Sequence, residues 1–347
     1  MIRVGIAGIG FMGMIHYLAY QKLRGVKVAA ICEQDRKRLA GDWRTIKGNF
    51  GPAGKQMDLS GIATYEKLDD MLADQSLDMI DICLPPAAHA PVAIAALKSG
   101  KHVFCEKPIA LRSADGRKMV NTARSTGKQL MIGQVLPFFP EYAFALKAIN
   151  SRKYGKLLGG AFKRVISDPQ WLKGFYDPEK IGGPMLDLHV HDAHYIRLLF
   201  GMPKAVFTSG RMRGEVAGYF NSQFQFDDPR IAVSATSGVI DQQGRAFCAA
   251  FEIHLERATL LYDFAVIDGK PELAMPLTVL TADGKVTRPK MKSDDPVDAF
   301  ADELTEAVRT ARTEKPSALL DGELARDALI LCEKQTASLA RGRLVSV

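Results

Sequence analysis

The first 134 residues alternate between short apolar runs and longer helical patterns. Each apolar run has four to seven residues, which is typical of a strand buried on both faces. Repeated strand–helix–strand units predict a parallel sheet covered by helices on both sides. The predicted strands are Ile2–Ala7, Val26–Cys32, Met79–Leu84, His102–Cys105 and Leu130–Gly133, and the predicted helices are Phe11–Leu23, Tyr65–Asp74, His89–Ser99 and Ala114–Ser125.

From residue 135 onwards the apolar runs follow one another with only short turns between them. Turn signals such as Asp227-Asp228-Pro229 and Asp283-Gly284 separate the runs, and consecutive strands of this kind predict an antiparallel sheet. The chain then ends in helical patterns. We therefore expect an α/β domain over residues 1–134 and an α+β domain over residues 135–347. The predicted strands are Leu157–Val165, Ala205–Thr208, Ser222–Phe226, Ile231–Val239, Ala246–His254 and Ala258–Tyr262, and the predicted helices are Pro296–Thr313 and Gly322–Leu339.

Composition excludes several classes of protein. With 347 residues, 47% of them hydrophobic, the chain is long enough to bury a core without disulfides. It has no run of about 18 apolar residues and no leader pattern, so we expect a cytoplasmic protein without a membrane partner. Its five cysteines form no C-x-x-C pair and are expected to be reduced. The net charge of +7 comes from Lys and Arg spread along the chain, which favours anionic small molecules over nucleic acid.

The segment Gly8-Ile9-Gly10-Phe11-Met12-Gly13 has the G-x-G-x-x-G spacing of a dinucleotide-binding loop. It follows a predicted strand directly and opens a predicted helix, which is the context that this spacing requires. Gly8 permits a tight turn, Gly10 lets the backbone approach a diphosphate, and Gly13 allows close packing of helix and strand. The helix N-terminus, including Phe11 and Met12, is then expected to bind the diphosphate.

Glu33 follows Gly13 by 20 residues and comes directly after the second predicted strand. A carboxylate at this place is expected to accept hydrogen bonds from the adenosine ribose hydroxyls and to repel a 2′-phosphate. We therefore expect NAD to be preferred over NADP. Arg36 and Arg38 stand nearby and weaken that preference.

Two further segments end predicted strands at the edge where ligands bind in open parallel sheets. Leu84-Pro85-Pro86-Ala87-Ala88-His89 is expected to line the cofactor through Pro85, and His89 either touches the cofactor or only opens the next helix. Glu106 and Lys107 end the fourth predicted strand, and Pro108 stops it. We count Glu106 with the cofactor-binding residues. Lys107 is expected to hold and polarise a substrate oxygen, which makes it a candidate catalytic residue.

A histidine cluster between Gly182 and His194 precedes an apolar helical run. On a helix, Asp187 and His191 share one face, so Asp187 could orient His191 as a proton acceptor near neutral pH. A zinc site that uses Asp187, His189, His191 and His194 is the alternative, but the H-E-x-x-H spacing is absent. We expect no metal, and we expect His189 and His194 to be packing or hydrogen-bonded residues.

Together these signals resemble the glucose–fructose oxidoreductase / inositol dehydrogenase (Gfo/Idh/MocA) family. The resemblance covers nearly the whole chain, and the Glu-Lys-Pro context is its most specific part. The segments that carry it are the opening glycine loop, the stretch from Ala95-Ala96-Leu97 through Gly100-Lys101-His102-Val103 to Glu106-Lys107-Pro108, and Gly182-Gly183 with Asp187-x-x-x-His191.

The resemblance implies a Rossmann domain followed by an α+β domain with a large, mostly antiparallel open sheet. It implies reversible oxidation of a sugar or cyclitol hydroxyl with NAD or NADP, in which Lys107 polarises the substrate, His191 is the general base and Asp187 supports His191. It also implies a homo-oligomer, a dimer or tetramer paired through the C-terminal sheet. Two departures point to an atypical substrate pocket: residues 134–142 lack a usual Arg, and His194 replaces a usual Asp.

Two other functions remain open at this point. The fold could serve a non-catalytic sensor that binds a dinucleotide, although Lys107, Asp187 and His191 argue against it. An enzyme could also use NAD catalytically, in redox-assisted cleavage of a glycoside. That reaction would form product without net NADH.

Overall fold

The computed structural model describes residues 1–48, 50–291 and 295–347. Over the first 134 residues it shows the predicted alternation of strands and helices. The elements are β1 (Ile2–Ala7), α1 (Phe11–Gln21), β2 (Val26–Cys32), α2 (Arg36–Leu39), β3 (Ala63–Tyr65), α3 (Leu68–Ala73), β4 (Met79–Ile82), α4 (Pro86–Lys98), β5 (His102–Glu106), α5 (Ser113–Thr126) and β6 (Leu130–Gly133).

Six strands of the described residues form one sheet in the order β3-β2-β1-β4-β5-β6, and every neighbouring pair is parallel. This is the Rossmann order, in which the strand sequence reverses between β1 and β4. The central strands are apolar and buried, as Val4, Ile6 and Ile80 show. Since all strands run the same way, the loops after β1, β2, β4 and β5 meet at one edge of the sheet.

The remainder of the chain adds a second sheet and further helices. A short 3₁₀ turn (Leu136–Phe138) precedes it, and a π-helical turn (Met185–His189) lies within it. Within the described ranges, no helix combines the length and apolar character needed to cross a membrane. The elements are α6 (Pro140–Asn150), β7 (Leu157–Ser167), α7 (Val190–Phe200), β8 (Ala205–Arg213), β9 (Val216–Gln225), β10 (Ala232–Ile240), β11 (Arg245–Leu255), β12 (Ala258–Ile267), β13 (Lys270–Thr281), β14 (Val286–Thr287), α8 (Pro296–Thr313), α9 (Gly322–Arg341) and β15 (Val345–Ser346).

The second sheet joins nine described strands in the order β14-β13-β12-β11-β7-β10-β9-β8-β15. Its neighbours are antiparallel except for β7 and β10, which run parallel. Buried aromatic side chains pack on the sheet, for example Tyr142 against Tyr195 at 5.2 Å between ring centres and against Phe251 at 5.0 Å. The predicted fold class, a Rossmann domain followed by a mostly antiparallel α+β domain, is confirmed.

The chain divides into two compact units. Of the described residues, the first contains those within 1–138 and 295–326, and the second contains those within 139–291 and 327–347. This differs from the division predicted at residue 134, because α8 belongs to the first unit. The reason is aromatic packing: the ring of Phe300 stacks on Phe50 at 5.4 Å and lies 6.1 Å from the imidazole of His16 on α1.

Candidate functional site

The glycine loop lies between β1 and α1, and its three glycines meet different constraints. Gly8 has a φ of +93°, and a Cβ there would lie 2.7 Å from the carbonyl oxygen of Cys83. A Cβ on Gly13 would lie 2.0 Å from the carbonyl oxygen of Gly8. A Cβ on Gly10 would meet no atom within 4 Å. The fold therefore requires Gly8 and Gly13, whereas Gly10 leaves open space beside the helix N-terminus.

That open space fits a dinucleotide diphosphate. Helix α1 begins at Phe11, and in the described residues no side chain caps it at Gly10. Phe11 and Met12 form its first turn and are half-buried. The N–H groups and the dipole at such a helix start favour a bound phosphate.

The carboxylate of Glu33 is bound by the backbone around it. Its Oε2 accepts the N–H of Ile9 at 2.8 Å, and its Oε1 accepts the N–H groups of Gln34 at 2.8 Å and Asp35 at 3.1 Å. Arg38 donates to the carbonyl oxygen of Ile9 at 3.1 Å and lies 3.8 Å from Oε2. Glu33 thus ties the tip of the glycine loop to the end of β2. A carboxylate accepts about four hydrogen bonds, so capacity remains for a ribose hydroxyl.

The loop after β4 contains Pro85, which is exposed, and leads to His89, which is buried. The Nδ1 of His89 lies 2.7 Å from the carbonyl oxygen of Pro108, and its Nε2 lies 2.8 Å from that of Leu84. Both ring nitrogens are therefore engaged with backbone. His89 lies near the start of α4 and connects the loops after β4 and β5, and its direct contact with the cofactor stays a prediction.

Lys107 follows β5 directly and is half-buried, and the Lys107–Pro108 peptide bond is cis. Glu106 is buried, and its Oε2 accepts the backbone N–H of Lys107 at 3.0 Å. Its Oε1 lies 3.1 Å from the Nε2 of His16. The carboxylate of Glu106 is thus turned into the protein, and the role of Glu106 in cofactor binding stays a prediction. Lys107 stands at the same sheet edge as the glycine loop, Glu33 and Pro85.

A buried cluster behind this edge contains residues that the sequence analysis did not single out. The Nδ1 of His16 lies 3.0 Å from Oδ2 of Asp81, and the Sγ of Cys83 lies 3.2 Å from the same nitrogen. A histidine in an apolar helix and an aspartate inside an apolar strand are the sequence signals that could have identified this cluster.

The same cluster is the group in the described part of the chain whose geometry could hold a metal ion. One atom each of His16, Asp81 and Cys83 lies within 4.8 Å of the others. Hydrogen bonds among these three side chains already account for the short distances. His16, Asp81 and Cys83 are not among the zinc ligands considered from the sequence, which lie around His191.

In the second unit, Asp187 and His191 lie on one continuous helical segment. Asp187 is in the π-helical turn, His191 is in the first turn of α7, and both are half-buried. The expected spacing assumed a regular α-helix. Hydrogen bonds in a π turn span five residues, so the turn is wider than in an α-helix. The relative directions of the Asp187 and His191 side chains therefore differ from those of a regular α-helix.

The residues that flank His191 are part of the core of the second unit. Asp192 is buried and accepts two hydrogen bonds from the guanidinium of Arg164 on β7, at 2.8 and 3.0 Å. His189 is buried beside Gln335, and burial lowers the pKa of His189 to about 4. His194 is also buried. These contacts fix the start of α7, and with it the backbone of His191.

Comparison with known proteins connects both units to one family. Residues 2–134 match the family described as "Oxidoreductase family, NAD-binding Rossmann fold". Residues 142–261 match the "GFO/IDH/MocA C-terminal domain".

Among curated proteins, the chain is 31% identical over 160 residues to an inositol 2-dehydrogenase/D-chiro-inositol 3-dehydrogenase of Lactiplantibacillus plantarum. The aligned region covers 45% of this chain and 42% of that protein. It is 30% identical over 159 residues to a glycosyl hydrolase family 109 protein of Shewanella pealeana, which covers 46% of this chain and 34% of that protein. The chain thus spans less than half the length of each of these two relatives.

Among solved structures, a levoglucosan dehydrogenase in complex with NADH and levoglucosan superposes with a TM-score of 0.81 and 18% identity. The superposition covers 100% of this chain and 99% of that one, and at this identity it shows a common fold. The two matched family regions account for most of the sequence, for the whole first sheet and for strands β7 to β11 of the second. The chain therefore belongs to the GFO/IDH/MocA family of oxidoreductases.

Proposed function

We propose that the chain is an NAD(P)-dependent dehydrogenase that reversibly oxidises a secondary hydroxyl of a sugar, sugar derivative or cyclitol to a ketone. The observation that carries this proposal is the sheet edge of the first unit. Its parallel strands bring an open glycine loop, a ribose-binding carboxylate candidate and Lys107 to the same edge. The partial similarity to an inositol dehydrogenase supports the substrate class.

In this proposal the first unit binds the dinucleotide and the second unit binds the substrate. The N-terminus of α1 holds the diphosphate over Gly10, where no side chain intervenes. Glu33 accepts a ribose hydroxyl with its remaining acceptor capacity. When bound, the nicotinamide supplies a hydride acceptor for oxidation or a hydride donor for reduction.

Three side chains of this chain carry the proposed proton chemistry. The ammonium of Lys107 holds the substrate oxygen and stabilises negative charge on it. The imidazole of His191 accepts the hydroxyl proton, since histidine is the side chain that titrates near neutral pH. Asp187, on the same helical segment, orients His191 and stabilises its protonated form.

A substrate panel tests this function. Sugars, sugar acids and cyclitols are assayed for NADH or NADPH formation by absorbance, together with His191→Asn and with His254→Asn as a matched control. His254 is an exposed histidine of the same unit. We expect wild-type turnover of at least one polyol, retained by His254→Asn and lost by His191→Asn. A wild-type protein that binds NAD but turns over no member of the panel would contradict the proposal and favour the sensor function.

A second candidate function rests on the similarity to the glycosyl hydrolase family 109 protein. In it, transient oxidation of a sugar hydroxyl assists cleavage of a glycosidic bond, and the hydride is returned before product leaves. Aryl glycosides distinguish the two functions. Release of the aryl alcohol without net NADH would favour glycoside cleavage, whereas NADH accumulation without release would favour the dehydrogenase.

A further inference from the structure

The most unusual feature of the first unit outside the proposed contacts is a charged cluster in its core. His16, Asp81 and Glu303 are fully buried, and Glu106 is 6% exposed. Buried charges are costly unless they are paired and hydrogen-bonded. Specific contacts must therefore stabilise these buried groups.

His16 links the ends of two neighbouring strands. Its Nδ1 lies 3.0 Å from Oδ2 of Asp81 on β4, and its Nε2 lies 3.1 Å from Oε1 of Glu106 on β5. The Nδ1 contact with Asp81 has hydrogen-bond geometry, whereas Nε2 lies within ion-pair distance of Glu106 without it, so both ring nitrogens are close to carboxylate oxygens. A neutral imidazole carries one N–H and would direct a lone pair at one carboxylate, so this geometry favours the doubly protonated ring.

The groups around His16 agree with that charge state. Burial alone would lower the pKa of His16, but the charge of Asp81 and its hydrogen bond outweigh burial and raise this pKa well above the ordinary value. Burial and the nearby Glu106 raise the pKa of Glu303, which favours its neutral form. The titratable groups facing His16 are Tyr20 on α1, Asp81 and Cys83 at β4, Glu106 on β5 and Glu303 on α8.

The imidazolium in turn keeps Glu106 ionised. Burial would raise the pKa of Glu106, but the contacts with His16 and Lys107 outweigh burial and lower it. An ionised Glu106 accepts the backbone N–H of Lys107 strongly, at 3.0 Å. Gly133 on the neighbouring strand β6 leaves space for this carboxylate, because a Cβ there would lie only 3.2 Å from Oε1.

We infer that His16 is a positioning residue for the proposed reaction: it bridges Asp81 and Glu106, holds the Glu106 carboxylate against the Lys107 backbone, and thereby fixes where the Lys107 side chain begins at the sheet edge. This inference rests on the proposed function. It assigns a role in the reaction to a residue that contacts neither the proposed substrate nor the proposed cofactor.

Two substitutions separate the two contacts of His16. In His16→Asn the amide takes the place of Nδ1, so it keeps Asp81 and loses Glu106. In His16→Gln the amide takes the place of Nε2 and keeps Glu106. His102→Gln is the matched control, because His102 is a buried histidine at the opposite end of β5, bonded to the N–H of Gln129.

With the substrate found in the panel, we expect kcat of His16→Asn to fall on the order of 10- to 100-fold, the size of effect that a misplaced catalytic group produces. His16→Gln should retain more of the rate, and the Kd for NAD should stay within about twofold in both variants, since neither touches the proposed cofactor contacts. In both, the pKa of Glu106 should rise because Glu106 loses a cation, so the loss of kcat relative to wild type should grow as the pH falls. A rate that is unchanged in His16→Asn at every pH would overturn the inference.

The amide proton of Lys107 gives a readout that does not need turnover. The chemical shift of this proton should change as Glu106 ionises. The midpoint of that change should lie at low pH in the wild-type protein and in His102→Gln, and at higher pH in His16→Asn. Gly133→Ala, which crowds Glu106 and leaves His16 intact, should also perturb this proton. If the midpoint is the same in the wild-type protein and in His16→Asn, the positioning role of His16 is overturned. If the midpoint shifts but the wild-type protein turns over no substrate, the result counts only against the proposed function.

Discussion

Glu33 has two tasks that can be separated by experiment. Its carboxylate anchors Ile9 in the glycine loop, and it is the proposed acceptor for a ribose hydroxyl. The guanidinium of Arg38, 3.8 Å away, offsets part of its charge. Discrimination between NAD and NADP therefore depends on the balance between this carboxylate and this cation.

Glu33→Gln and Glu33→Ala divide these tasks. Gln keeps an acceptor oxygen for Ile9 but removes the charge that would repel a 2′-phosphate. We expect both variants to reduce the ratio of kcat/KM for NAD to that for NADP by about tenfold, since close charges interact by about 1–4 kcal/mol near a surface. Only Glu33→Ala should also raise KM for NAD. Equal use of both cofactors by the wild-type protein would contradict the role of Glu33 in discrimination.

His89 is expected to matter for stability. Its ring nitrogens lie 2.7 Å from the Pro108 carbonyl oxygen and 2.8 Å from that of Leu84, and burial lowers the pKa of His89, which favours the neutral ring with a single N–H donor. His89→Ala removes that donor, so we expect the free energy of unfolding, measured in urea, to fall by about 1–3 kcal/mol. His254→Ala, at an exposed position, should change it by less than about 0.5 kcal/mol. A similar small change for His89→Ala would show that the link contributes little.

The sequence indicates some site residues and hides others for a physical reason. Lys107 could be identified because it follows a buried strand at the ligand-binding edge. The contacts of His16 and Asp81 join an apolar helix to an apolar strand 65 residues away, so only the folded chain shows that they meet. The inward orientation of Glu106 could not be predicted from the sequence either, because its carboxylate lies 3.1 Å from His16 only in the folded chain.

At the level of elements, the glycine loop and the first turn of α1 form the proposed diphosphate site. Gly8 and Gly13 are required by backbone conformation and by close packing, respectively. Gly10 has a φ of −88°, which other residues adopt, and open space where a Cβ would lie. The fold therefore does not require a glycine at this position, and we propose that a bound dinucleotide does.

Gly10→Ala and Gly13→Ala test this difference. Gly10→Ala should leave Tm within about 2 °C of wild type, since added surface methyl groups have small effects, and should weaken NAD binding by at least about tenfold. Gly13→Ala should lower Tm as well, because its Cβ would lie 2.0 Å from a carbonyl oxygen. Calorimetry and fluorescence titration check both quantities. Unweakened NAD binding by Gly10→Ala would contradict the proposed diphosphate position.

The accuracy of element prediction follows the strength of the apolar pattern. The bounds of β1, β2 and β6 agree with the predicted runs because these strands are apolar and lie in a parallel sheet. The edge strand β3 and strand β13, which is second from the edge of the other sheet, were missed: β3 has three residues, and the first half of β13 is exposed. Helix α6 was also missed, since its apolar residues follow Pro137 and Pro140 closely and gave no clear helical pattern.

For the whole molecule, the division into units shows that the dinucleotide-binding fold is not one continuous stretch of chain. Helix α8 returns to the first unit from a distant part of the sequence, and Phe300 packs against Phe50 and His16. Its amphipathic pattern predicted the helix, but not the unit on which its apolar face would be buried. That choice depends on tertiary contacts such as those of Phe300, which an amphipathic pattern does not specify.

The buried cluster also makes a prediction for the pH dependence of stability. The raised pKa of His16 contributes stability that is full below its unfolded value of 6.5 and is lost as pH rises through the folded value. The lowered pKa of Glu106 contributes stability above its unfolded value of 4.5, lost as pH falls through the folded value. We expect His16→Gln to lower the free energy of unfolding by about 3–5 kcal/mol between pH 4.5 and pH 6.5, and by less at alkaline pH. A cost that does not depend on pH would contradict the charged state of His16.

The central claim is that Lys107 acts on the substrate at the edge of a dinucleotide-binding sheet. Its most direct test is kcat of Lys107→Met, measured on a sample whose Kd for NAD is also determined, with the exposed Lys118→Met as control. We predict that kcat falls by about 10²- to 10³-fold, as when one stabilising donor is removed, while Kd stays within about twofold. A Lys107→Met protein that binds NAD normally and keeps its rate on the true substrate would contradict the account.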